Sequence, residues 1–237
     1  MDGRKTLGEY VREGAMIFVA VTLGFLADNY RDYRGEREAE RSYMRALVDD
    51  LAVDSARLTE NIARLRGNIA NADTMVHEFI AGRATGRYAP SIATHGRYAG
   101  NSVDLVFNDR TSSQLKGTGG MRLVRDTAIA SALLRYWNNQ ERLREIRDRY
   151  EGLRVEHRKV GWRAFNWYQG VFARVLTTDS VLLNDRPPLL REPALVPDFV
   201  NTTSSMFNLA TVMFLPELEA EVALGTQIRG MIRAAYP

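Results

Sequence analysis

The sequence predicts an all-α protein, with an N-terminal transmembrane helix that continues into a bundle of long antiparallel helices. Three observations lead there. Residues 14–27 (GAMIFVAVTLGFLA) form an uncharged, almost wholly apolar run between Glu13 and Asp28. From Met44 to Phe79, apolar residues recur at alternating spacings of four and three, the period of a long helix buried along one seam. No segment alternates apolar and polar residues for long enough to form a sheet.

Composition sets the bounds. A chain of 237 residues holds one domain, or one domain and an anchor. Its 45% hydrophobic content suffices for a core. Cysteine is absent, which excludes disulfides, thiolate metal sites and cysteine nucleophiles. The formal charge is +3, and Lys5, Lys116 and Lys159 are the only lysines. The arginines are interleaved with acids, as in Arg37-Glu38-Ala39-Glu40-Arg41 and Arg142-Leu143-Arg144-Glu145. That pattern suits solvated helix faces with i,i+4 pairs and not a one-sided phosphate-binding stripe. No nucleic-acid partner is expected.

The apolar run rises only ~21 Å as a helix, short of a hydrocarbon core of ~30 Å. Its flanks extend it. Tyr10 and Tyr30 stand 20 residues apart, as interfacial anchors do, and Arg12 beside Glu13 can snorkel. A core helix of a soluble protein would carry a polar stripe, and this run has none. A signal peptide fits less well, because Asp2 and Glu9 lie in its n-region and Phe25 takes position −3 before Asp28. Residues 1–34 therefore read as a tail and membrane span, with the lipid bilayer as first partner. Ala20 and Gly24 form a small-xxx-small pair, the candidate helix-docking position within the membrane; chance also produces such pairs. Arg4, Lys5 and Arg12 precede the run and Arg31, Arg34, Arg37 and Arg41 follow it, a tally that by itself slightly favours a cytoplasmic large domain.

Residues 35–237 are expected to form the extramembrane bundle, with long helices over about 36–81, 124–176 and 201–235. The first carries the seam Met44, Val48, Leu51, Ser55, Leu58, Ile62, Leu65, Ile69, Ala72, Val76 and Phe79. A second copy of the chain can bury this seam, giving a homo-oligomer; so can antiparallel packing against the next long helix. Gly82 and Gly86 supply a stop. A loop over 84–102, rich in Gly, Pro and Thr, and a short helix over 103–115 lead to Gly117-Thr118-Gly119-Gly120. That cluster lacks the G-x-x-x-x-G-K-[ST] order and reads as a tight turn needing positive φ, not a phosphate cradle. The proline-bearing stretch 177–197 separates the last two long helices, and Pro216 marks a kink or restart in the last.

Chemistry-bearing patterns are sparse. His77, His95 and His157 are the only histidines, and none lies in the apolar run to ligate a haem. Neither HExxH nor metal-ligand spacing occurs, and G-x-S-x-G is missing. No catalytic, metal or cofactor residues are assigned. Asp49, Asp50 and Asp54 read as part of a solvated face. Asn201-Thr202-Thr203 matches a glycosylation sequon but serves equally as a helix start. Trp162, Phe165, Tyr168 and Phe172 share one helix side and face a core. Trp167 falls off that stripe and is the candidate partner-surface residue, core packing being the plainer alternative.

Two motifs carry a resemblance. Glu13 opens the apolar run, Asp28-Asn29-Tyr30 closes it, and Tyr43-Met44-Arg45-Ala46-Leu47-Val48-Asp49-Asp50-Leu51 follows. Further on stands Thr111-Ser112-Ser113-Gln114-Leu115-Lys116-Gly117-Thr118-Gly119-Gly120-Met121-Arg122-Leu123-Val124, before a helix containing Leu134-Arg135-Tyr136-Trp137-Asn138. The chain resembles an uncharacterised family of bacterial single-span membrane proteins, a domain-of-unknown-function group, departing from its pattern at Ser112, where an aromatic is usual. The resemblance implies one span in the bacterial inner membrane, a helical C-terminal domain and, from the more basic N-termini of relatives, a periplasmic position for that domain. It supplies no catalytic residues. The expected function is non-enzymatic: an accessory or stabilising subunit docked on a larger membrane complex, for which a respiratory or photosynthetic assembly is one host. The alternative is a membrane-tethered sensor with a ligand pocket between helices.

Overall fold

The structure, a computed structural model, describes residues 7–117, 119–165, 167 and 190–236. All are helical or irregular, apart from one isolated bridge between Phe165 and Leu190. Helix α1 runs unbroken over Leu7–Arg83, 77 residues, about 115 Å at the standard rise. The first proline of the chain is Pro90, so nothing in α1 removes a backbone donor. The helix crosses residues 34 and 35 without a break. It ends where Gly86, at φ +63°, turns the chain out in a conformation that suits glycine.

The stretch expected as a loop contains a helix. α2, Ser91–Ala99, buries Ile92, Ala93, Gly96 and Ala99 against the bundle. Its apolar face is built mostly from small residues, which periodicity of large side chains does not detect. Residues 101–109 are then extended, not helical, and α3 occupies only Arg110–Gly117. Gly119, at φ +66°, supplies the positive-φ turn and opens a 3-10 turn, Gly120–Leu123. α4, Thr127–Ala164, starts at Asp126, whose carboxylate accepts from Ala128 N and Ile129 N, capping two orphan donors.

α4 stops before residue 176. Phe165 is extended and its N–H closes on Gly161 O. Tyr168, Phe172, Pro187 and Pro188 lie outside the described residues. Beyond a 3-10 turn at Pro193–Leu195, α5 (Val196–Leu209), a π-turn (Ala210–Phe214) and α6 (Leu215–Ala235) follow one another directly. The π-turn is how the helix accommodates Pro216. Proline has no N–H and its ring crowds the carbonyl four residues back, and a wider turn just before it relieves both while keeping the helix continuous.

Three apolar clusters lie in series along α1. Met44, Leu47 and Leu51 pack with Ile129, Leu133, Trp137 and Ile228. Leu58, Ile62 and Leu65 meet Ile146, Tyr150, Met206 and Phe214. Met75 lies with Ile92, Phe165, Trp167 and Phe199. The order shows that α5–α6 run antiparallel to α1, whereas α4, expected to pack antiparallel on it, runs parallel. The connection over residues 84–126 makes this possible by carrying the chain back along α1. The Met44–Phe79 seam is thus largely consumed within one chain.

The returning segment is held by side chains of α1. Asn68 donates to Asn101 O and Asn61 to Asp104 O, each at 2.8 Å. Asp54 accepts from Asn108 N at 2.7 Å, and Asp50 accepts from Asn108 Nδ2, Thr111 N and the Thr111 hydroxyl. Asp50 and Asp54 are buried, which corrects their reading as a solvated face; Asp49 alone of the three is exposed. The physical reason is that extended chain brings unpaired N–H and C=O groups into contact with α1, and these need partners once water is excluded.

Removing either asparagine tests the clamp. Asn61→Ala and Asn68→Ala should each cost about 1–3 kcal/mol by stranding a covered carbonyl, read from urea unfolding of the full chain. Arg66→Ala, which breaks the exposed Arg66–Glu219 pair, should cost under ~1 kcal/mol.

Candidate functional site

The most distinctive surface is the first part of α1. Among residues 10–35 every side chain is exposed, including Val11, Ile17, Phe18, Val19, Val21, Leu23, Phe25 and Leu26. Helical geometry places these on all sides of the cylinder, so the segment is an apolar rod and not an amphipathic face. It is long and apolar enough to cross a membrane, and none of it is buried. A core helix of a soluble protein would be covered. Ala20 and Gly24 lie on this rod, and nothing comes within 4 Å of the Cβ position at Gly24. A neighbouring helix could approach there closely.

Below the rod, local pairs hold the helix before tertiary packing begins. Arg31 pairs with Asp28, Arg34 lies over the Tyr30 ring, and Arg37 and Arg125 both lie over Tyr33. Glu40 is the first fully buried residue of α1. It accepts from Arg125 N at 2.9 Å, Tyr236 Oη at 2.6 Å and Arg37 at 3.0 Å, so it ties the start of α4 and the end of α6 to α1. Burial raises its pKa, but those three donors together outweigh burial and hold it below the usual value. Its place among interleaved surface charges in the sequence concealed this role.

A second polar cluster joins α1, α4 and α6. Asp54 also accepts from Tyr136 Oη at 3.3 Å. Glu221 on α6 is buried; its Oε2 accepts from Asn139 at 3.2 Å, and its Oε1 has no partner. Burial, with Asp54 and Glu217 nearby, pushes Glu221 up to about 8, so it is protonated at neutral pH. Burial also raises Asp54, to about 6, against the donors Asn108 and Tyr136. The described residues contain no group of three or more His, Cys, Asp or Glu able to hold a metal.

The third cluster lies at the far end. His157 Nε2 donates to Gly96 O at 2.9 Å, and its Nδ1 meets Thr203 Oγ1 at 2.9 Å. The ring stacks on Phe199 at 4.6 Å. With Nε2 protonated, neutral Nδ1 is an acceptor, and it shares the single Thr203 hydroxyl proton with Phe199 O, 2.8 Å from the same oxygen. Burial is the main cause of a pKa lowered to about 4. Nearby, His95 and Ser91 both bond to the Glu78 carboxylate. The serine proton therefore points to Glu78 and not to the histidine, so these residues fasten α2 to α1 and do not form a nucleophile–base pair.

Trp167 corrects an expectation. It is only 5% exposed and packs in the same cluster, edge-on to Phe199, while Trp162 is 59% exposed with Arg158 over its ring. The helical stripe ends with α4 at Ala164, and the chain folds back so that the Trp167 ring occupies the bare backbone at Gly161. A Cβ there would lie 2.1 Å from Trp167 Cη2.

Comparison with family profiles, with curated proteins and with solved structures finds no match to this chain.

The buried titratable groups give the bundle opposing pH dependences. The unfolded chain protonates His157 near 6.5 and the folded one near 4. Stability from this site is complete above pH 6.5 and falls by ~3 kcal/mol as pH drops toward 4. Glu221 has the reverse sign: its folded pKa is raised, so its contribution is complete below 4.5 and is lost as pH rises through 8. Glu221→Gln should therefore raise the urea midpoint most at pH 8–9 and least at pH 4–5. A gain independent of pH would contradict an uncharged buried carboxyl.

Proposed function

We propose that this protein is a non-enzymatic, single-span membrane protein, an accessory subunit whose apolar rod inserts in the bilayer and docks on a larger membrane assembly. The observation that carries this reading is the rod itself, apolar on every side, uncovered, and continuous with a packed bundle. Apolar surface of that extent is stable when lipid or another helix covers it. Tyr10 and Tyr30 lie at interfacial spacing, and the Ala20–Gly24 face is free of intramolecular contacts that would block a partner helix. The resemblance to single-span bacterial proteins supports an inner-membrane location with the bundle on the periplasmic side. One interior space, between Asn68, Tyr150, Thr203 and Met206, measures about 10 Å³, room for roughly one water.

Three measurements test the proposal. The full-length chain should resist carbonate extraction from membranes, and Phe18→Arg with Leu23→Arg should shift it to the soluble fraction, since each charge costs about 3 kcal/mol at a span centre. Purified in mild detergent, the chain should bring down a membrane-protein partner, and Gly24→Leu should lose that partner while the bundle keeps its unfolding midpoint. Recovery of the chain alone, or a mature N-terminus near Asp28, would refute the reading. A C-terminal reporter active only in the cytoplasm would reverse the sidedness.

A further inference from the structure

Beside the extended segment, on the outer side of α1, lies an open cleft of about 430 Å³ lined by Arg64, Gly67, Asn68, Asn71, Tyr98, Asn101 and Ser102. Its volume is that of a small-molecule site, but its walls are mostly polar. Arg64 is its one charged group, and no ion pair or hydrogen bond to another described residue occupies that guanidinium. Asn68, 4% exposed, uses its amide nitrogen on Asn101 O and Tyr150 Oη, and its Oδ1 accepts from no other described residue. Tyr98 is 43% exposed and offers an aromatic face, and Asn101 and Ser102 add an amide and a hydroxyl to the wall. At Gly67 nothing lies within 4 Å of the Cβ position, so the floor between Arg64 and Asn71 is bare.

We propose that this cleft binds a carboxylate-bearing saccharide. Such a ligand carries many hydroxyls, each able to donate and accept, and matches amide and hydroxyl side chains that do both. A mostly polar wall gives little gain to an apolar ligand but suits one that exchanges water hydrogen bonds for protein ones. The Tyr98 ring suits the C–H face of a pyranose. Arg64 fits a carboxylate through two parallel N–H bonds, and no acidic residue lines the cleft to oppose it. Position separates this ligand from lipid. Gly67 lies 37 residues beyond Tyr30 on one continuous helix, about 55 Å along it, out of reach of a headgroup at the Tyr30 level.

Saturation-transfer NMR on the full chain in lipid nanodiscs, free of glycosidic detergent, tests the site with glucuronate, glucose and acetate as probes. Glucuronate should receive saturation at millimolar concentration, glucose more weakly, and acetate not measurably. Arg64→Gln should weaken glucuronate at least tenfold and bring it level with glucose. Gly67→Leu places a side chain in the open floor and should abolish both signals with an unchanged or higher unfolding midpoint. Absence of transfer to glucuronate, acetate binding as well as glucuronate, or binding that survives Gly67→Leu would each overturn the proposal. None of these outcomes depends on whether the rod finds a membrane partner.

Discussion

The fold depends on the continuity of one backbone hydrogen-bond ladder, that of α1. The other elements are attached to it from residue 33 onward: α2 through Glu78, the extended return through Asn68, Asn61, Asp54 and Asp50, α4 and the C-terminus through Glu40. Residues 10–32 are exposed throughout. Where the two parts meet, residues 28–39 have only local pairs and ring contacts for support, together with the Glu36 links to Arg122 and Arg125. Exposed pairs of this kind contribute little each, so rigidity across the junction comes from the ladder itself. Gly35, with nothing near its Cβ position, is the weakest point of that stretch, since glycine disfavours a helix by about 1 kcal/mol relative to alanine.

The buried face of α1 combines two stripes with different physical roles. The seam of Leu, Ile and Met residues supplies burial, at roughly 25 cal/mol per Å² of apolar surface. A seam with this period tolerates a slip of one heptad, because apolar side chains of similar size replace one another. The polar stripe does not. Asp54, Asn61 and Asn68 recur every seven residues, yet Asp54 accepts from an N–H while the two asparagines donate to carbonyls. Slipping the return segment by a heptad would set a carboxylate against a carbonyl, and the mismatch would be buried. The stripe therefore fixes register where the seam alone cannot.

Much of this was legible. The apolar rod and the 4-3 seam are long, strongly periodic signals, and a glycine cluster foretold a positive-φ turn that Gly119 supplies. What escaped notice had local causes. The 4-3 seam is defined by apolar residues, and the polar stripe beside it, with Asp50 and Asp54, has the composition of a wet face. A heptad of Asp and Asn within an apolar helix was the available signal. α2 hid because alanine and glycine form its buried side. Trp167 falls outside the helical stripe only on a wheel that continues past Ala164, where α4 ends. The direction of α4 was not readable at all, because it depends on a return segment whose extended form comes from contacts with α1 and not from its own sequence.

The same geometry constrains any function that joins bilayer to bundle. In a continuous helix, rotation of one end is rotation of the other, since each residue advances the helix by a fixed angle. On the proposed reading, a partner gripping the Ala20–Gly24 face would set the azimuth of the whole bundle about the α1 axis. A flexible linker would instead decouple the two and leave only a tether. The chain spends a 77-residue helix where a short span and a glycine-serine linker would suffice for tethering. The Asn68–Gly67 cleft and the exposed Trp162 side are then presented at defined heights and headings. On that reading, the continuous helix supplies orientation as well as attachment.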